Sequence, residues 1–225
     1  MRQILAALAA VPLIGAGPAP AQPVVVELFT SQGCSSCPPA DQAVARAADR
    51  PDVIALSFNV TYWDHLGWKD TFARPEFTAR QVAYAKALGH GAPFTPEVVA
   101  GGRADAVANT PARLDALIAR GRALPATQVS SAAGRVTVAA GVAPRRGAEV
   151  WLVRYDPRVI QVPVKAGENG GKTLPQRNVV RSLTRLGGWS GQAATYVAPA
   201  GDPALRSVVL VQTAGGGPIL AAARL

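Results

Sequence analysis

Apolar and polar positions fall into two regimes along this chain. The first opens with VVVELF at 24–29, a β-branched run of the length of a buried strand. A short polar turn, TSQG, leads to CSSC and then to PPADQAVARAAD, an Ala-rich helical pattern that opens on proline and stops before Pro51. DVIALSFNV at 52–60 reads as a second buried strand, so strand–helix–strand gives a parallel pair with a right-handed crossover. A helix is expected over 75–88, its core face carrying Phe77, Val82, Ala85 and Leu88, with Gly89 as its C-cap. A third strand begins after Thr95-Pro96, Gly101-Gly102 turns the chain into a short fourth at 103–107, and Asn109 or Thr110 caps a helix over 111–120.

Beyond about residue 125 the helical period is gone. Short β-rich runs at 127–131, 135–140, 149–155, 159–164, 178–186, 193–197, 207–213 and 219–223 alternate with Gly, Pro and Asn turns. Strands so spaced suggest an antiparallel sandwich or barrel. The expected architecture is therefore an α/β domain over 22–123 followed by an all-β, antiparallel sandwich-like accessory domain over 124–225. The polar turn KAGENGG at 165–171 is long enough to project toward the first domain.

Residues 1–21 have the form of a secretory signal peptide: Arg2, an apolar stretch over 4–14, and Ala19-Pro20-Ala21 before the expected cleavage point. That stretch is too short and too broken by Gly and Pro to span a bilayer, and no later segment approaches the length needed. A periplasmic or secreted location follows as the expectation, and with it a compartment where disulfides persist. The formal net charge is +9, but the basic residues are scattered. No basic stripe is interleaved with aromatics, which argues against a nucleic-acid partner.

The chemistry concentrates in Cys34 and Cys37, the only 2 cysteines. A C-x-x-C pair at a strand-to-helix junction reads as a thiol–disulfide redox site, because helix-terminal N–H groups and the helix dipole favour thiolate over thiol. Cys34, expected nearer the surface, is the candidate attacking thiolate, and Cys37 the resolving one. Two other readings stay open. The pair could be a structural staple, though so small a loop removes only about 2 kcal/mol of unfolded-state entropy. It could also hold a soft metal such as Cu(I), as in a metallochaperone, although the chain's single methionine is Met1. A zinc site would need two further ligands, with only His65 and His90 on offer, so no metal and no cofactor is expected.

The segment TYWDHLGWKDTF at 61–72 follows the second strand and should face the cysteines, since loops at the carboxyl ends of parallel strands gather at one edge. Tyr62, Trp63 and Trp68 suit either a wall that binds an apolar segment of a protein substrate or a cap on the end of the core. Asp64 and His65 lie beside them as a possible proton donor and acceptor.

The β-α-β-α-β-β-α order, with C-x-x-C after the first strand and Thr-Pro opening the third, resembles the thioredoxin superfamily. VELFTSQGCSSCPPAD, YWDHLGWKD, FTARQVAYA and FTPEVV resemble, more narrowly, a family of secreted thioredoxin-like proteins of unassigned function. The resemblance implies a cis Thr95-Pro96 peptide lying against the disulfide, its backbone pairing with substrate. It also implies a buried acid on the first strand for proton transfer, for which Glu27 is the nearest counterpart, one residue further from Cys34 than usual. Asn59 and Thr61 stand where that family usually has His and Asp. The function expected is thiol–disulfide exchange with protein substrates and an unknown redox partner.

Overall fold

The first strand, β1 (Val24–Thr30), is buried on both faces along its whole length, which is why its sequence runs apolar without alternation. The structure, a computed structural model, describes residues 22–123 and 125–225, so the expected signal peptide lies outside the described residues. Val24, Val26 and Leu28 point from β1 into one layer, where they meet Val44 of α1 (Pro38–Ala47) and Leu114, Leu117 and Ile118 of α3 (Pro111–Gly121). Val25 and Phe29 point into the other, against Phe77 and Tyr84 of α2 (Pro75–Leu88). β2 (Val53–Asn59) lies parallel to β1 in register Val24↔Val53 to Thr30↔Asn59. On its other side β1 pairs antiparallel with β3 (Glu97–Ala100), which pairs with β4 (Ala104–Ala106).

Helix limits follow their end residues. Proline opens α1, α2 and α3, Thr110 caps α3 by accepting the Arg113 amide hydrogen, and Gly89 ends α2 at φ 84°. The buried stripe of α2 differs from the expected one. It consists of Phe77, Arg80, Gln81, Tyr84 and Ala85, whereas Val82 is 48% exposed. Residues three and four apart share a helix face, and Val82 is five from Phe77, so the polar Arg80 and Gln81 take the inward places. In the β3–β4 turn Gly101 has φ 59°, and a side chain there would strike the Gly121 carbonyl at the end of α3.

The C-terminal half is all-β and antiparallel, but its long strands extend the first sheet instead of forming a sandwich apart from it. The sheet holds eight strands in the order β11-β10-β7-β8-β2-β1-β3-β4. In it, β7 is Ala148–Pro163, β8 Thr173–Trp189, β10 Arg206–Thr213 and β11 Ile219–Arg224. The expected breaks around residues 156–158 and before 178 are absent. Pro157 falls in a register shift between Asp156 and Val159, so the proline that lacks a ladder N–H bends one strand instead of separating two. A small sheet of β5 (Val129–Ala132), β6 (Arg135–Val138) and β9 (Ala194–Val197) covers part of this extension, burying Val136 and Val138 with Val150, Leu152, Trp189 and Val211.

The halves share an apolar core, in which Phe29, Leu56, Phe58 and Phe77 of the first meet Val153, Val180, Val208 and Leu210 of the second, and a short strand join runs beside it. β2 and β8 pair parallel at Ser57↔Val179, and Ser57 Oγ donates to the Arg177 carbonyl at 2.9 Å. The Arg177 guanidinium reaches α1, donating to the Ala45 carbonyl at 2.9 Å and to both Asp49 oxygens at 2.8 and 2.6 Å. This cation at the helix C-terminus also complements its dipole. The join fixes the β7–β8 hairpin so that its tip lies over the turn after β1.

Candidate functional site

At the carboxyl end of β1, Ser31 Oγ accepts the Gly33 amide hydrogen at 3.0 Å, and the Cys34 amide donates to the Ser31 carbonyl at 3.1 Å. These bonds curl the chain into the turn that brings Cys34 and Cys37 together as a disulfide, with Cα atoms 5.5 Å apart. Regular helix starts at Pro38 with Cys37 as N-cap, which places both cysteines before the helix and not inside it. Pro38 and Pro39 bring no N–H to the helix terminus, and the next two amides, Ala40 and Asp41, both donate to the Cys37 carbonyl. The donor expected from helix-terminal amides is therefore reduced, and the Ser36 hydroxyl, 3.4 Å from Cys34 Sγ, is the polar group next to that sulfur.

Cys34 is not the more exposed cysteine. Both are 0% exposed, although Ser35 and Ser36 between them are open to solvent. The cover is the hairpin tip at 165–171. Buried Asn169 donates from one Nδ2 to the Gln32 and Cys34 carbonyls at 3.0 and 2.9 Å, and Lys172 Nζ donates to its Oδ1 at 3.0 Å. Glu168 Oε2 accepts the Ser35 amide hydrogen at 3.0 Å, and the Ser35 hydroxyl first, with this amide second, holds the carboxyl below the usual range.

Glu27 does not lie beneath the cysteines. It shares its face of β1 with Val25 and Phe29, the α2 side, whereas α1 covers the even-numbered face. There its carboxylate is held by Arg80, with Nε and Nη2 at 3.0 and 2.9 Å from Oε1, and by the Tyr84 hydroxyl. An ion pair so buried and so fully bonded leaves no oxygen for proton exchange with a cysteine. The acid on the α1 side is Asp41, which the sequence reading passed over. It stands one turn into α1 from Cys37, and Thr30 Oγ1 donates to its Oδ2 at 3.2 Å. Burial, with repulsion from Asp70 as a smaller cause, pushes it up to about 7, against a lowering by the Thr30 bond. Its signal in the sequence was the spacing C-P-P-A-D, four residues from Cys37 and hence on the same helix face.

The 61–72 segment lies against the cysteine turn through Trp63 and Trp68. Trp63 packs beside Gly33, where an added Cβ would meet its side chain at 3.3 Å, and donates Nε1–H to Thr95 Oγ1 at 2.8 Å. It thus links the residue before Cys34 to the Thr95-Pro96 peptide, which is cis. Trp68 donates to Gln32 Oε1 at 2.9 Å and packs with Phe72 against Val162, Val164 and Leu174 of the hairpin, so it caps the core. Tyr62 is half-buried on the α2 side, and burial pushes its phenol up to about 12. Asp70 ties the segment down, with Oδ2 accepting from the Gln32 amide at 2.7 Å and from Asn59 Nδ2 at 2.8 Å. Asp64 accepts the Asp70 amide hydrogen at 3.1 Å, a structural task, and His65 is exposed. Among the described residues no helix is long and apolar enough to cross a membrane.

The model of a protein family of unknown function, DUF1223, matches residues 25–212. A crystal structure of an Agrobacterium tumefaciens protein is similar at 34% identity, over 92% of this chain and 95% of that one, with a TM-score of 0.69. HBP35 of Porphyromonas gingivalis is similar at 14% identity, over 91% of this chain and 75% of that one, with a TM-score of 0.63, a likeness of fold alone. No functionally curated protein matches.

Proposed function

Because the chain belongs to the DUF1223 family, whose function is unknown, its activity has to be read from the site, and we propose that it is an exported, thioredoxin-like thiol–disulfide oxidoreductase acting on protein substrates. The observation that carries this reading is a disulfide closing a four-residue loop before a helix, with a half-buried carboxyl, raised by desolvation, one turn further on. The Thr95-Pro96 peptide, cis as the thioredoxin resemblance implies and joined to the loop through Trp63, is the proposed substrate-docking edge.

The exchange is balanced in atoms and electrons. A substrate thiolate attacks Cys34 Sγ, the Cys34–Cys37 bond breaks, and Cys37 leaves as a thiolate that takes a proton from Asp41. A second substrate thiolate then attacks the mixed disulfide, Cys34 leaves, and the substrate is oxidised by two electrons as the pair is reduced. The reverse sequence reduces a substrate disulfide, with Asp41 accepting the Cys37 proton as that sulfur resolves the intermediate. A pKa near 7 suits both directions, since the acid is then half-ionised at neutral pH. Substrate reaches Cys34 only when the hairpin tip moves off Ser35.

A second reading is favoured by the complete burial of both cysteines, namely that the disulfide is a staple. Trapping separates the two. A Cys37→Ser variant, incubated folded with a protein that carries an accessible disulfide, is expected to accumulate a mixed disulfide through Cys34, and Cys34→Ser far less. No adduct with either variant would overturn the redox reading.

A further inference from the structure

Away from the cysteines, three potential ligands converge from three elements. His90 follows the Gly89 cap of α2, Glu97 opens β3, and Asp105 lies on β4. His90 Nε2 stands 3.6 Å from Glu97 Oε1 and 3.4 Å from Asp105 Oδ2, and all three ligand atoms lie within 4.8 Å of one another. We propose that this cluster is a binding site for a divalent transition-metal cation of the Zn²⁺ type.

Three observations point to a ligand there. Glu97 is 0% exposed, yet its Oε1 has no hydrogen-bond partner, and neither has buried His90 Nε2. A buried carboxylate oxygen and a ring nitrogen left facing each other are costly unless something is bound between them. The separations also fit. Bonds of about 2.0–2.2 Å to nitrogen and oxygen, arranged tetrahedrally, put ligand atoms about 3.4 Å apart. The second polar atoms of Glu97 and His90 are committed in the manner of supports for metal ligands. Gln81 Nε2 donates to Glu97 Oε2 at 2.6 Å, holding that carboxylate so that Oε1 faces His90. His90 Nδ1 lies 3.3 Å from the Ala92 carbonyl, an acceptor that places the ring proton on Nδ1 and leaves the Nε2 lone pair toward the carboxylates.

The donor set of one imidazole and two carboxylates suits Zn²⁺ or a similar ion, with a fourth position left for water. His90 and Asp105 have side chains 27% and 20% exposed, which opens the site to ions from solution. The ligands are spaced H-x6-E-x7-D across a loop, a cis peptide bond and a hairpin, a separation that no local sequence motif marks.

Titration of the oxidised, chelator-treated full chain with ZnCl₂ is expected to show one saturable equivalent by calorimetry and a melting temperature that rises with free Zn²⁺. His90→Ala and Asp105→Asn, both at part-exposed positions, should each weaken binding about tenfold or more, and Gln81→Leu should do so with all three ligands retained. Co²⁺ in place of Zn²⁺ should give visible d–d absorption that His90→Ala abolishes. The double variant Cys34→Ser/Cys37→Ser should bind as the parent does, so this result is independent of the redox reading. No binding, binding unchanged in both ligand variants, or binding lost with the cysteines would overturn the site and leave a plain histidine–carboxylate cluster.

Discussion

At the scale of single residues, strand parity separates Glu27 from the cysteine side of β1. Side chains alternate across a sheet, so Glu27 and the residues facing α1 lie on opposite sides of β1, and a shift of one position changes the layer. Asp41 reaches the site from the helix, and its burial has a consequence for stability. A carboxyl raised from 3.8 to about 7 in the folded protein gives up its proton more easily once unfolded. Its stabilising contribution is complete below about pH 4 and is lost as pH rises through 7. Asp41→Asn is therefore expected to match the parent near pH 4 and to exceed it by about 4 kcal/mol at pH 8 in urea unfolding, at about 1.4 kcal/mol for each pH unit of the raise. Glu97, raised mainly by burial from 4.5 to about 7, leaves a remaining slope of the same sign in both proteins. The same substitution should slow thiol–disulfide exchange about a hundredfold near pH 7 while leaving the cysteines reactive to alkylation. A variant less stable at pH 8, or one that exchanges at the parental rate, would remove Asp41 from the proposed chemistry.

At the scale of elements, the sequence was most legible where local pattern and burial agree. The order of strands and helices from β1 to α3, the proline openings and the Gly89 cap follow from such signals. The pattern misled where polar side chains are buried. Arg80 and Gln81 occupy the inner face of α2 because Glu27 and Glu97 are there to meet them, and no one-element periodicity contains that information. It also misled at Pro157, where a bulge lets one strand run through a residue that usually ends one. The hairpin tip was legible as a long polar turn, but its cover over Cys34 depends on the β2–β8 join, a contact between residues 57 and 179. The cover makes a testable element. Asn169→Ala removes both bonds to the Gln32 and Cys34 carbonyls, so reduction of the disulfide by a small thiol should quicken about tenfold with little change in melting temperature. Glu168→Gln should lower the thiolate pKa of reduced Cys34, because it removes a negative charge from the Ser35 amide. An unaltered reduction rate in Asn169→Ala, measured by loss of the disulfide against time, would show that the tip does not gate the sulfurs.

At the scale of the whole molecule, one continuous sheet carries both the cysteine turn and the hairpin that covers it. The long β strands thus act on the site from outside the segment that contains the cysteines, and an all-β half that sequence reading treats as an accessory becomes part of the site's geometry. The central claim is that this buried disulfide nevertheless exchanges with thiols while the protein stays folded. Equilibrating the native protein against a glutathione redox series, with the Cys34–Cys37 state read by alkylation and the fold by circular dichroism, tests it most directly. The account predicts a reversible two-electron transition in the folded protein at a potential between about −120 and −270 mV, the span of known dithiol oxidoreductases. A pair that resists reduction to below about −300 mV, or that opens only as the fold is lost, would be a structural staple and would contradict the claim.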